Sequence, residues 1–359
     1  LANNRECKIV SLQELGEFGF IRCMAQKLQT RRGVRLGIGD DAAILETLQT
    51  PVATCDALIE NVHFRREWTT PFLLGRKAMN VNVSDLAAKG ARPVAAFVTL
   101  GISEKFLREE LPNADRAATW LENVYEGFED AAREFDFTIA GGDTTRTQSE
   151  VMISVTLLGE AGNRLPVLRS GAQIGDIVLT TGTLGDSAAG LFLLQNPQIE
   201  VSKATRDFVL ARHFDPAPRL REMQALIGAG STPDIHAALD LSDGVAGDAA
   251  HIARASQVQI EIDVAALPIS SACREVAKAS DVENASQTWA LSGGEDYELL
   301  LCAAPEKVAS LSQALMRFGS TPVTAIGRCA AIKESSAAVA VLVFSDGRRE
   351  IPRAAWTHF

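Results

Sequence analysis

A chain of 359 residues is about twice the usual 100 to 200 residues of a domain, so its length favours two domains over repeats of one small module. Hydrophobic residues make up 47% and charged residues 22% of it, close to globular averages, which excludes a disordered or collagen-like chain. The net charge of -10, from 45 acidic against 35 basic side chains, leaves no electrostatic footprint for a nucleic-acid backbone, and anionic partners would need help from metal ions.

Residues 11–29 predict an opening helix, and the charges of Arg5, Glu6, Lys8, Glu14 and Glu17 exclude a secretory hydrophobic region there. Residues 53–64 begin as a strand and run into a loop, and 72–90 predict a helix. Residues 93–102 and 151–158 have the apolar, β-branched character of buried strands, and 119–135 have amphipathic helical spacing. The apolar runs are far shorter than the roughly 18 to 20 residues a bilayer span needs, so no membrane partner is expected. The stretch from Gly159 to Gly175, rich in Gly, Pro and polar residues, predicts a domain boundary near residue 163, dividing the chain into 1–162 and 163–359.

The second part predicts a strand at 176–181, a tight loop at 182–185, and helices at 187–195 and 216–227. A strand at 236–241 and a helix at 244–255 follow. Strands at 258–264 and 299–302, a helix at 306–318 and a terminal hairpin around Asp346-Gly347 complete the series. This alternation reads as an α/β (α+β) protein of two domains. The six cysteines, Cys7, Cys23, Cys55, Cys273, Cys302 and Cys329, form no C-x-x-C pair. Their spacing writes neither a zinc site nor a disulfide framework, and a cytoplasmic location fits it.

The informative feature is a set of aspartates beside glycines: Gly37-Ile38-Gly39-Asp40-Asp41, Gly141-Gly142-Asp143 and Asp240-Leu241-Ser242-Asp243-Gly244, read as loops at element junctions, with Asp56 after a strand-like run and Asp85 late in a helix. One Asp-Gly pair is ordinarily a turn. Several that converge would repel one another by roughly 4 kcal/mol per pair at 4 Å unless a cation neutralised them. Hard oxygen donors without Cys or His companions suit Mg²⁺ or Mn²⁺, and Mg²⁺ completes its shell with water and substrate phosphates. With no G-x-x-x-x-G-K-[ST] and no strand–G-x-G-x-x-G–helix, phosphates would be held mainly through metal.

LGIGDDAAIL (36–45), CDALIENVHF (55–64), NVSDLAAKGARP (82–93), AGGDTTR (140–146), TGTLGDSAAGL (181–191), DLSDGVAGD (240–248) and LSGGEDYEL (291–299), in this order through nearly the whole chain, closely resemble the thiamine-monophosphate kinase family. The resemblance implies the fold shared with aminoimidazole ribonucleotide synthetase and selenophosphate synthetase. In that fold an N-terminal metal- and ATP-binding domain pairs its sheet with its twin in a homodimer, and a C-terminal α/β domain follows. It implies ATP as co-substrate, several Mg²⁺ ions, and direct in-line transfer of the γ-phosphoryl group to thiamine monophosphate.

Carried over position by position, the resemblance implies metal ligands at Asp40, Thr54, Cys55, Asp56, Asp85, Asp143, Asp240 and Asp243, with Asp56, Asp143 and Asp243 as the catalytic residues. Tyr125, Gly142, Asp143, Arg169 and Ser242 match nucleotide-contacting positions, and His63, Glu295 and Trp356 match positions that contact thiamine monophosphate. Cys55 stands where the family usually has Ser or Thr. A thiol is a poor Mg²⁺ ligand, so its backbone carbonyl is the expected donor, the alternative being weaker binding of one metal. The rival readings are another ATP-using enzyme of the fold, which in the selenophosphate synthetases has a reactive cysteine beside glycines, a hydrogenase-maturation carrier with a C-terminal cysteine, and a non-catalytic nucleotide-binding relative. Cys7 and Cys23 lack the first neighbourhood, and Trp356-Thr357-His358-Phe359 lacks the thiol of the second.

Overall fold

The computed structural model describes residues 12–110, 114–228, 234–319, 321–332 and 339–352. The chain divides into two compact units, one of residues 1–83 with 92–162 and one of residues 84–91 with 163–359.

The first unit contains α1 (Leu12–Lys27), the short antiparallel pair β1 (Val34–Leu36) and β2 (Ile44–Leu45), and β3 (Pro51–Ile59). Then come α2 (Pro71–Ala88), whose last turn belongs to the second unit, β4 (Arg92–Ser103), α3 (Glu104–Glu110), α4 (Ala114–Phe135), β5 (Thr138–Thr147) and β6 (Met152–Glu160). The four long strands make a sheet in the order β3-β6-β4-β5, antiparallel except for β4 with β5. Alternation along β6 buries Ile153, Val155 and Leu157 and leaves Ser154 and Thr156 half-exposed, the signature of a sheet with one covered face. On α4, Leu121, Val124, Phe128, Ala131 and Phe135 recur at helical spacing and are all buried. This helix crosses α2 at glycines: a Cβ on Gly75 would lie 2.1 Å from the Val124 carbonyl oxygen, and one on Gly127 2.1 Å from that of Phe72.

Gly141-Gly142-Asp143, read from sequence as a loop, lies inside β5. After a bulge at Ala96/Phe97, β5 continues in parallel register along β4. A Cβ on Gly142 would come within 1.9 Å of the Val98 carbonyl oxygen. Glycine here serves a close approach of two strands, not a turn.

The second unit is built on a seven-stranded sheet. Its elements are β7 (Ile177–Thr181), α5 (Asp186–Gln195), α6 (Lys203–Phe214), α7 (Leu220–Ile227), β8 (Ala237–Asp240), α8 (Val245–Ser256), β9 (Gln259–Asp263), α9 (Ser271–Ser280), α10 (Ala285–Ser292), β10 (Leu299–Ala303), α11 (Val308–Phe318), β11 (Val323–Ala330), β12 (Ala340–Val343) and β13 (Arg349–Glu350). The strand order is β13-β12-β9-β11-β7-β10-β8, with β12 and β9 the parallel pair. Both faces of β10 are covered. Leu300 and Cys302 enter a core with Val245, Ala249 and Ile252 of α8, while Leu299, Leu301 and Ala303 enter another with Met223 of α7 and Leu311 and Leu315 of α11. That is why β10 reads as an unbroken apolar run.

Because β10 runs antiparallel to both β7 and β8, its start lies beside their ends. The loops 182–185, 241–244 and 293–298 therefore gather at one end of these three neighbouring strands. Cys23 is disulfide-bonded, a pairing that spacing did not announce, whereas Cys55, Cys273, Cys302 and Cys329 are free thiols.

Candidate active site

In the first unit a cleft of about 940 Å³ is lined by Gly39, Asp40, Tyr125, Gly142, Asp143 and Thr144, among others. Asp40 and Asp143, distant in sequence, thus share one cavity with Gly142 and Tyr125. Asp40 and Asp143 are exposed, and Asp40 Oδ1 accepts the Asp41 N–H at 2.7 Å. The Tyr125 hydroxyl is pushed up to about 12, chiefly by burial and against a hydrogen bond with Thr144, so this phenol stays neutral and is available as a hydrogen-bonding group.

Thr54, Cys55 and Asp56 lie within β3, at the opposite edge of the sheet from β5. Register assigns their faces. Thr54 and Asp56 pair with the buried Leu157 and Val155, whereas Cys55 pairs with Thr156. The Cys55 thiol receives the Thr156 hydroxyl at 3.4 Å and lies 3.8 Å from Ser154 Oγ. Alternation turns it away from Thr54 and Asp56. Asp56 shares its row with Val155, Val98 and Gly142, one residue out of step with Asp143. In a single chain, Asp56 and Asp143 therefore lie on opposite faces, three strand spacings apart, or about 14 Å along the sheet.

In the second unit, β8 ends at Asp240, which is buried and accepts the Ser84 hydroxyl at 2.7 Å. The following loop carries Ser242 and Asp243. The first turn of α8 supplies Asp248, whose Oδ2 accepts the Asp243 N–H at 3.1 Å. Ligating atoms of Asp243, Asp248 and His251 lie within 4.8 Å of one another. Asp248 is held well above the usual carboxylate range by burial, with Asp243 and Asp240 adding to the shift and the Asp243 N–H and Arg169 opposing it. Arg169 also acts on Lys89. Burial first and then Arg169 push that ammonium down to about 8, against the pull of Asp240 and Asp85, while its Nζ donates to the Ala238 carbonyl at 3.0 Å.

Glu295 sits in the 293–298 segment. Its N–H donates to the Ser242 carbonyl at 2.7 Å, and the Tyr297 N–H donates to that of Leu241 at 2.8 Å. The loops carrying Ser242 and Glu295 are thereby zipped together. In the first unit, His63 Nδ1 accepts the Ile59 N–H at 3.1 Å in the turn after β3. Trp356 lies outside the described residues.

Residues 39–161 match the family model of the AIR synthase related protein N-terminal domain, and 173–339 that of its C-terminal domain. The thiamine-monophosphate kinase of Escherichia coli (strain K12) is 39% identical over 320 residues, covering 88% of this chain and 91% of its own length. This chain belongs to the thiamine-monophosphate kinase family.

Among solved structures, the thiamine-monophosphate kinase of Stenotrophomonas maltophilia K279a is similar at 34% identity and a TM-score of 0.73, covering 91% of this chain and 94% of that one. A structure of AaThiL complexed with AMPPCP and TMP is 32% identical with a TM-score of 0.71, covering 97% and 98%.

Three members of the kinase's second-unit cluster escaped the sequence reading. Lys89 ends NVSDLAAK, and a lysine one helical turn after Asp85 is a legible signal. Asp248, five residues after Asp243, stands in the first turn of α8, where an acidic residue ordinarily serves the helix end. His251, three residues further on, is a single histidine along the same helix. The spacing Asp243, Asp248, His251 across a loop-to-helix junction carries no familiar ligand signature; only the fold of that turn brings the three together.

Proposed function

We propose that this chain transfers the γ-phosphoryl group of ATP to the phosphate of thiamine monophosphate, giving thiamine diphosphate and ADP. The observation that carries this reading is the cleft in which Asp40, Tyr125, Gly142 and Asp143 converge, in a chain 39% identical to a thiamine-monophosphate kinase. AaThiL, solved with AMPPCP and TMP, supports the same pair of substrates.

The donor set fits Mg²⁺. Asp40 and Asp143 in the first unit, and Asp85, Asp240 and Asp243 in the second, are oxygen donors, and the Cys55 thiol faces away from Thr54 and Asp56, leaving the Cys55 carbonyl as that position's hard donor. When bound there, the ions supply charge neutralisation for two phosphate-bearing reactants. The acceptor phosphate has a second pKa near 6 and is largely ionised at neutral pH, so the chain needs no general base. Its residues position instead. Arg169 offers a planar fork for phosphate oxygens, and Tyr125, Gly142 and Ser242 contact the nucleotide. His63, Glu295 and Trp356 contact thiamine monophosphate, with the Trp356 ring stacking on the cationic thiamine at about 0.5 to 2 kcal/mol. Residues 1–162 without 84–91 form the metal- and ATP-binding domain, and 163–359 with 84–91 its α/β companion.

The working form is a homodimer. One feature supports it: among the described residues β3 and β5 are the edge strands of the four-stranded sheet, so a twin sheet would pair one chain's β3 with the other's β5. No helix among the described residues is long and apolar enough to cross a membrane, and cytoplasmic action accords with the substrates.

The test is purified protein with MgATP and thiamine monophosphate, with thiamine and an aminoimidazole precursor as controls, scored for diphosphate product. Product from thiamine monophosphate alone, abolished by EDTA and restored by Mg²⁺, is expected. Turnover of the aminoimidazole precursor in its place overturns the assignment.

A further inference from the structure

The segment 293–298 is held with unusual thoroughness. Glu295 and Tyr297 both have left-handed backbones, at φ 57° and 51°, a conformation unfavourable for non-glycine residues that persists where surrounding contacts over-determine it. Those contacts are visible. The two N–H groups are tied to Ser242 and Leu241. Asp296 is buried and accepts the Gly185 N–H with both oxygens. Glu298 is fully buried, with Arg212 at 2.7 Å, Arg219 Nε at 2.6 Å and the Thr181 hydroxyl at 2.7 Å.

Of the three carboxylates in this run, Asp296 and Glu298 point into the fold, and Glu295 keeps about a quarter of its side chain exposed, at 28%. Its Oε2 lies 3.4 Å from Nδ1 of His213. That ring sits in the last turn of α6, is 5% exposed, stands edge-on to Phe214 at 5.3 Å and has Ser187 Oγ 3.0 Å from the same nitrogen. A carboxylate at that distance is attracted by an N–H and repelled by a bare lone pair, so the compatible arrangement carries hydrogen on Nδ1, with Ser187 Oγ as a second acceptor.

We infer that His213 is a positioning residue for thiamine monophosphate: held between Ser187 and Glu295, it directs the partly exposed Glu295 carboxylate toward the substrate. The inference rests on the reading of Glu295 as a substrate contact. His213 is buried and acts on the substrate through Glu295. It therefore affects the acceptor substrate and not the nucleotide, although the Ser242 loop is zipped to the same segment.

The test is a kinetic double-mutant cycle on the full-length protein. His213→Phe keeps the ring and its contact with Phe214 but deletes Nδ1, and His213→Asn restores a donor near the Nδ1 position. His213→Phe is expected to raise KM for thiamine monophosphate about tenfold and leave KM for ATP within about twofold. His213→Asn should recover most of the loss. Glu295→Gln should raise the same KM at least as much, and the double variant His213→Phe/Glu295→Gln should be no worse than Glu295→Gln alone. Should His213→Phe not fold, His213→Leu, which also lacks the donor, closes the same cycle with and without Glu295→Gln. An unchanged KM in Glu295→Gln overturns the reading of Glu295 and this inference with it. A raised KM in Glu295→Gln, multiplied further in the double variant or accompanied by an equal rise for ATP in His213→Phe, overturns the role of His213 alone.

Discussion

Asp296 accepts the backbone N–H of Gly185 with both carboxylate oxygens, at 3.0 and 2.9 Å, and so ties the segment before β10 to the turn between β7 and α5. The carboxyl is buried, and its ordinary value of 3.8 is pushed up to about 8. Burial is the main cause. Asp186 and Glu298 add to the shift, while the Gly185 N–H and Arg212 oppose it.

This shift has a consequence for stability. An acid whose folded value lies above its unfolded one holds its proton in the native state while the unfolded chain has lost it. Between about pH 4 and pH 8 the native state then binds more protons, and stability falls as pH rises. Asp296→Asn keeps an acceptor oxygen for Gly185 and removes this titration. The Tm difference, wild type minus variant, is expected to decrease steadily from pH 5 to pH 8 in calorimetry; a difference that is flat or rising would sink the account.

Asp143 is exposed in the first-unit cleft, so its neutral isostere should leave the fold intact. For Asp143→Asn the expected stability change is within about 0.5 kcal/mol, with kcat lowered roughly 100-fold or more. Urea melts and steady-state turnover measure both. A melted variant, or one with wild-type turnover, contradicts the role.

Gly142→Ala separates backbone from chemistry beside it. The added methyl would meet the Val98 carbonyl oxygen at 1.9 Å, so β5 must move off β4. A loss of about 1 to 3 kcal/mol is expected, with activity falling because the shift also displaces Asp143. If the variant's urea midpoint equals that of wild type, the strands do not approach as closely as described.

Glu298 is held below the usual carboxylate range although its complete burial works the other way, because the charges and hydrogen bonds of Arg219 and Arg212 outweigh it, with Thr181 adding to them. Removing the charge leaves two largely buried guanidinium groups without their carboxylate. Glu298→Gln is therefore expected to destabilise by about 3 to 5 kcal/mol, read from chemical denaturation. A loss below about 1 kcal/mol would mean that water reaches the arginines.

Much of the kinase's fold was legible along the chain, most clearly where one face or both faces of an element are apolar. The stripe on α4, the alternation in β6 and the apolar run of β10 each register a burial pattern that local periodicity cannot hide. The glycines of β5 misled because a close strand approach and a turn both demand the missing Cβ, and residue type alone does not distinguish them. The cluster around Asp240 was half legible: Asp240 and Asp243 stood out beside their glycines. Lys89, Asp248 and His251 did not, since their partnership exists only once the end of α2 and the start of α8 lie beside β8.

By itself, the order of short acidic and glycine-bearing words determined the family, and the periodicities determined where most strands and helices run, because both are properties of neighbours in the chain. Tertiary structure alone decided which face each side chain takes. Pairing register sends the Cys55 thiol away from Asp56 and sets Asp56 and Asp143 on opposite edges of one sheet. Antiparallel pairing of β10 with both β7 and β8 gathers Gly185, Ser242 and Glu295 at one end of the strands of the other. Register is fixed by long-range burial and hydrogen bonding, and a slip of one residue would reverse every face without changing a letter of the sequence.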